Sequence, residues 1–112
     1  MSSIIKSKVI GIDIGVSVTT IALVDVRGTI LAITNFPTNN IPEIGGFVEN
    51  ICEHVVRLAE ENGGFEKVRS VGITAASANY KTGCIENAVN MPWKGEIPIA
   101  IMLRDRLGLA VV

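Results

Sequence analysis

The sequence has almost no net charge, two cysteines, one histidine and no long apolar run. Its 112 residues carry ten basic and eleven acidic side chains, a formal net charge of −1. The two signs are mixed along the chain. That argues against a partner held by bulk electrostatics, whether nucleic acid or an acidic membrane surface. No apolar run approaches the ~18 residues of a transmembrane helix. The start, Met1-Ser2-Ser3-Ile4-Ile5-Lys6, lacks the apolar core and cleavage site of a signal peptide. Cys52 and Cys84 have no metal-type spacing and no neighbouring histidine pair. They read as free thiols in a reducing compartment, and the expected location is the cytoplasm. His54 has no second ligand near it in sequence, so it reads as the flank of a helix, not as a ligand or a base. Repeats and low-complexity tracts are absent.

What is there is a hydrophobic content of 48% in a chain long enough for one domain with a real core. The chain is organised around Val9-Ile10-Gly11-Ile12-Asp13-Ile14-Gly15-Val16-Ser17. The apolar run is short and β-branched, which suits a buried strand. A buried strand seldom carries an unpaired carboxylate, because desolvating it is costly. Asp13 is therefore expected where the strand emerges into a cleft. Gly15 leaves the backbone bare there, and Ser17, Thr19 and Thr20 add hydroxyls. A carboxylate, exposed amides and hydroxyls together suit a metal-bound phosphate. The same spacing also suits a core hairpin with a polar turn.

Thr19 to Val26 reads as the second strand, the Asp25-Val26-Arg27-Gly28 turn follows, and Thr29 to Phe36 reads as the third. Such short connections imply an antiparallel meander. Ile44, Phe47, Val48, Ile51, Val55 and Leu58 fall at helical spacing, with Asn40 as a candidate cap, Pro42 in the first turn and Gly63-Gly64 as the stop. Val68 to Thr74 reads as the fourth strand, Cys84 to Val89 as a short extra one, and Trp93 as a packing anchor. Pro98 opens a second helix that ends at Gly108, and Leu109 to Val112 begins a fifth strand. This pattern is that of an α/β domain of the ribonuclease H-like, actin-like ATPase fold. It has a mixed sheet of order 3-2-1-4-5 with helices on its faces, and Asp13 at the carboxyl end of the central strand.

Ile10-Gly11-Ile12-Asp13-Ile14-Gly15, with Asp25 closing the next strand, resembles the first phosphate motif of the actin/hexokinase superfamily. More narrowly, four blocks in order resemble the ROK family of bacterial sugar kinases and sugar-responsive repressors. They are Val71-Gly72-Ile73-Thr74-Ala75, Asn79-Tyr80-Lys81-Thr82-Gly83-Cys84-Ile85-Glu86, Asn90-Met91-Pro92-Trp93-Lys94-Gly95 and Leu107-Gly108-Leu109. The resemblance implies that the chain is the opening lobe of a glucokinase-like enzyme, residues 1–112 forming one domain that ends in the fifth strand.

On that resemblance the complete protein transfers the γ-phosphoryl of ATP to a hexose hydroxyl, chemistry that rests on positioning and charge stabilisation. Asp13 would hold magnesium through water. Gly15, Val16 and Ser17 would offer amides to the phosphates, with the Ser17 hydroxyl helping and Thr19 as a further candidate. Ala76, Ser77, Ala78, Asn79 and Asn90 would line one wall of the sugar site. The family's catalytic Asp and its zinc site would lie beyond Val112, so no catalytic residue is assigned in this chain. Two departures from the family pattern stand out. Val16 replaces a glycine, and Ala75-Ala76-Ser77 replaces Ala-Pro-Gly.

Three other readings remain open. A nuclease of the same fold needs a second carboxylate near the end of the fourth strand, where Thr74-Ala75-Ala76-Ser77 has none. A ROK repressor carries a helix-turn-helix before the first strand, where about seven residues stand here. A non-catalytic sugar-binding or interaction domain is the third. A fifth strand at the sheet edge, with bare apolar surface beside it, also favours self-association, so a homo-oligomer formed through that strand or the cleft face is expected.

Overall fold

A computed structural model of the chain describes residues 6–75, 78–79, 81–86, 92–93 and 95–112. Strands β1 (Lys8–Ile14), β2 (Val18–Asp25) and β3 (Ile30–Pro37) form the antiparallel meander. Helix α1 (Ile44–Glu60) then crosses to β4 (Val68–Ala75), which pairs parallel with β1. Two-residue β5 (Ala78–Asn79), β6 (Cys84–Glu86) and β7 (Glu96–Ile97) follow, then α2 (Ile99–Leu107) and β8 (Ala110–Val111). The main sheet has the order β3-β2-β1-β4-β8, so β8 is the fifth strand that the sequence leads one to expect. Pairing continues past its bounds, because the Val112 N–H donates to Val71 O at 3.0 Å and Val112 O accepts from Ile73 N–H at 2.7 Å.

Alternation along the strands decides which face is buried. Ile10, Ile12 and Ile14 of β1 join Ile21 and Leu23 of β2 and Val71 and Ile73 of β4 in one core. Helix α1 closes it with Phe47, Val48, Ile51, Val55, Leu58 and Ala59, and α2 adds Ile99, Leu103 and Leu107. The two helices touch each other. They therefore share one face of the sheet. The reason is handedness. The crossovers β3-α1-β4 and β4-α2-β8 move across the sheet in the same direction, and right-handed crossovers in one direction put their helices on one side.

The start of α1 differs from expectation. Asn40 closes a 3₁₀ turn, Thr38–Asn40, and the helix begins only at Ile44, with Glu43 at the cap position and no side-chain capping bond. Pro42 precedes the helix and holds Ile41 in extended backbone (φ −120°, ψ 101°), so Asn40 cannot reach the first helical amides. The helix ends as expected. Gly64, at φ +106°, donates its N–H to Ala59 O at 2.9 Å. Asp25 also has a structural role. Its Oδ1 accepts from the Arg27 N–H at 2.9 Å and the Thr29 N–H at 3.0 Å, tying the β2–β3 hairpin at the end of the sheet opposite Asp13.

Beyond β4 a second sheet, β5-β6-β7, is antiparallel throughout. The sequence pointed to one strand over Cys84 to Val89. The structure has it at Cys84–Glu86, and residues 87–91 lie outside the described residues. Trp93 is 5% exposed, with its ring 4.3 Å from that of Phe47 and its Nε1–H donating to Ile41 O at 3.2 Å. It is a packing anchor. His54 packs on the Phe36 ring at 4.8 Å, and its Nδ1 bonds to Asn50 O at 2.8 Å, which places it on the helix flank. Among the described residues no helix is long and apolar enough to cross a membrane.

Candidate functional site

The carboxyl end of β1 delivers Asp13 to the surface. Ile12 and Ile14 on either side of it are buried in the core, so the pleat turns Asp13 to the uncovered face of the sheet. The parallel register sets Asp13 beside Thr74 of β4, and the antiparallel register sets it beside Thr20 of β2. The Thr74 hydroxyl donates to Asp13 Oδ1 at 2.9 Å. One carboxylate oxygen is thus oriented from the neighbouring strand, and the other has no partner among the described residues. Thr74 was not singled out in the sequence as a site residue. The signal lay in the strand order, since a parallel neighbour of similar length brings the end of β4 level with the end of β1.

The turn after β1 is closed from within. The Gly15 N–H donates to Val18 O at 3.0 Å, so of the three amides expected to face phosphate, that of Gly15 is already committed. The N–H groups of Val16 and Ser17 have no partner among the described residues, and both residues are exposed. Glycine is required at position 15 by close approach. A Cβ there would stand 2.6 Å from the Val18 carbonyl oxygen, part of the backbone itself. Gly15→Ala must push that strand start aside, and an overpacked position of this kind costs about 1–3 kcal/mol. Urea unfolding of the variant should show the loss as a lower midpoint at unchanged slope.

Thr19 leaves the set of phosphate ligands. Its side chain is fully buried on the helix side of the sheet, and its Oγ1 shares a hydrogen bond of 2.7 Å with Thr38 Oγ1. Thr38 also donates its N–H to Ser17 O at 2.9 Å. The pair therefore buttresses the turn between β1 and β2 from beneath, bolting it to the 3₁₀ turn that follows β3. Thr38, which reads in the sequence only as part of a break after the third strand, is a second site residue that sequence reasoning missed.

Of the expected sugar-site residues, Ala76, Ser77 and Asn90 lie outside the described residues, and for Ala78 only the backbone is described. Asn79 is half-buried and works inside the β5–β6 hairpin. Its Nδ2 donates to Glu86 Oε1 at 3.0 Å, and its Oδ1 accepts from the Lys81 N–H at 2.9 Å. Its second amide hydrogen and second acceptor lone pair have no partner among the described residues.

The donor set at Asp13 fits magnesium in one way only. Among the described residues no group of three His, Cys, Asp or Glu side chains converges. A hard cation held by one carboxylate, water and substrate phosphates satisfies that arrangement, because magnesium keeps several waters and needs no protein cage. A paired-metal nuclease does not fit, because the β4 position level with Asp13 is Thr74. The cysteines stand apart from this chemistry. Cys52 and Cys84 are free, and burial pushes the Cys52 thiol up, partly offset by Arg106.

The sequence model of the ROK family matches residues 9–112. The glucokinase of Streptomyces griseus, a ROK family protein solved with glucose and AMPPNP, superposes with a TM-score of 0.78 at 33% identity, over 94% of this chain and 32% of its own. A polyphosphate/ATP-glucomannokinase from an Arthrobacter strain superposes at 0.62 with 26% identity, over 95% of this chain and 43% of its own. A ROK family transcriptional regulator, a homolog of the E. coli Mlc protein, superposes at 0.75 with 20% identity over 99% of this chain and 28% of its own, a likeness of fold. The chain thus spans about a third of the length of such relatives. No curated protein sequence matches it.

Proposed function

Because this chain belongs to the ROK family, we propose that it is the N-terminal lobe of a sugar kinase that, complete, transfers the γ-phosphoryl of ATP to a hexose hydroxyl. The observation that carries this reading is the pairing at one strand end of an oriented carboxylate, Asp13, with the amides of Val16 and Ser17, which have no partner among the described residues. Asp13 holds magnesium through water on this reading, a metal that supplies charge neutralisation of the nucleotide phosphates. The amides of Val16 and Ser17, with the Ser17 hydroxyl, bind phosphate oxygens, donors that are strongest when the acceptor is anionic. Thr74 fixes the Asp13 rotamer. Ala76, Ser77, Ala78, Asn79 and Asn90 form one wall for the sugar, where groups built to bond a hydroxyl reject analogues lacking it. The group that accepts the sugar proton belongs to the part of the relatives that this chain does not span.

The test is a coupled assay on the complete protein with ATP, magnesium and a panel of hexoses. The expected outcome is ATP-dependent phosphorylation of glucose or a close epimer. Sugar binding without turnover on any hexose would sink the kinase reading. That result would favour the second one, a sugar-responsive ROK protein without phosphoryl transfer. The specific observation behind the second reading is Val16. Its side chain is 38% exposed at the mouth of the phosphate turn, beside Val18 at 45%, and it narrows the approach that a glycine would leave open.

A further inference from the structure

The buried interior is apolar except at one place. Among the described residues only two polar ones are buried, Thr19 and Thr38, and both are fully excluded from water. Every other buried residue described is Ile, Leu, Val, Phe, Ala or Trp. Burying a hydroxyl is costly unless it is bonded, and here each is bonded to the other, Oγ1 to Oγ1 at 2.7 Å. A pair of valines, with the same branched shape, would fill the space without that cost. What the hydroxyls add is direction, because a hydrogen bond fixes separation and angle where apolar contact lets side chains slide. That fixed geometry lies under the β1–β2 turn. The bond from Gly15 N–H to Val18 O closes a two-residue tip, Val16–Ser17, and the tip's other tie is Thr38 N–H to Ser17 O at 2.9 Å. Thr19 stands opposite Phe36 in the ladder, so its bond to Thr38 runs diagonally across the two strands. It thereby holds the residue 38 amide in line with the Ser17 carbonyl.

We propose that Thr19 and Thr38 are positioning residues for the nucleotide: their hydroxyl pair sets the Val16–Ser17 tip so that both amides meet phosphate, and it contributes little to the stability of the fold. The proposal rests on the phosphate-binding role given above to those two amides. Neither threonine touches the ligand. Both act through the Ser17 carbonyl, whose tie to Thr38 limits how far the tip can tilt. Amides that bind an anion in its ground state and its transition state alike lower KM and leave kcat alone. Loosening the tip should therefore appear in KM for magnesium ATP and in no other kinetic constant.

Three variants of the complete protein test this by urea unfolding and steady-state kinetics. Thr38→Val leaves the Thr19 hydroxyl buried and unpaired, so its urea midpoint should fall. The double variant Thr19→Val with Thr38→Val removes both hydroxyls, and its midpoint should return to that of the parent or above. Both variants should nonetheless raise KM for magnesium ATP by about tenfold, the worth of one hydrogen bond to an anionic oxygen. Their kcat and sugar KM should stay within about twofold of the parent. Thr38→Ser keeps the hydroxyl and should hold KM for magnesium ATP near the parent value. A folded double variant with an unchanged KM for magnesium ATP overturns the proposal. A sugar KM that rises in step does the same, because it marks a general disturbance. Failure of the kinase reading shows separately, as a parent protein that turns over no hexose. Hydrogen exchange then decides whether the pair orders the turn: protection of the Gly15 and Thr38 amides should drop in the double variant, and unchanged protection overturns the proposal on that ground as well.

Discussion

Asp13→Asn in the complete protein should lower kcat/KM for magnesium ATP by about 100-fold, or about 2.7 kcal/mol of transition-state stabilisation. The substitution is nearly isosteric and keeps an oxygen to accept the Thr74 hydroxyl, now 2.9 Å away. It removes the one acidic side chain among the described residues that line this face of the sheet at the strand end. Asp13 is exposed, so its loss leaves the core untouched and the unfolding midpoint nearly unchanged. Sugar affinity, measured by calorimetry without nucleotide, should hold, because the sugar wall proposed above does not include Asp13. A Thr74→Val variant should lose about tenfold, since it deletes only the bond that orients the carboxylate, and Thr74→Ser should restore activity. If Asp13→Asn left kcat/KM intact, the metal would have to sit elsewhere. A loss confined to sugar affinity would move Asp13 to the other half of the site.

The strand order and the position of Asp13 were legible because they follow from local rules. Short turns force the meander, an intervening helix forces the parallel neighbour, and an acid inside an apolar run must surface at a strand end. The family blocks around Thr74, Asn79 and Trp93 added the identity of the lobe. Less legible were features that depend on long-range register. Thr19 looks in sequence like a free hydroxyl beside Ser17, and only the pleat of β2 and the return of the chain at Thr38 bury it. Asn40 looks like a helix cap, and only the conformation that Pro42 imposes on Ile41 puts it out of reach. The second sheet is made of two- and three-residue strands, too short for any alternation to show.

Phe47→Ala should destabilise the chain by about 3–5 kcal/mol, a large share of the ~5–15 kcal/mol that holds a domain of this kind. Phe47 is fully buried in the first turn of α1. Its ring lies 5.9 Å from Phe36 on β3 and 4.3 Å from Trp93, so it joins the main sheet, the helix and the segment leading to β7. Truncation removes the ring from both aromatic pairs and leaves a cavity between three elements that cannot collapse together. Trp93 should register the loss directly, because its indole stacks on Phe47 and donates to the Ile41 carbonyl. Its fluorescence should shift to the red before global unfolding in urea. Phe47→Leu, which refills most of the volume, should cost about 1 kcal/mol and keep the emission near its original position. The comparison separates two ideas of the lobe. An early tryptophan transition in Phe47→Ala means the β5-β6-β7 segment is held to the sheet chiefly through this ring. A single coincident transition would mean that α2 alone, through Ile99, Leu103 and Leu107, suffices to fasten it.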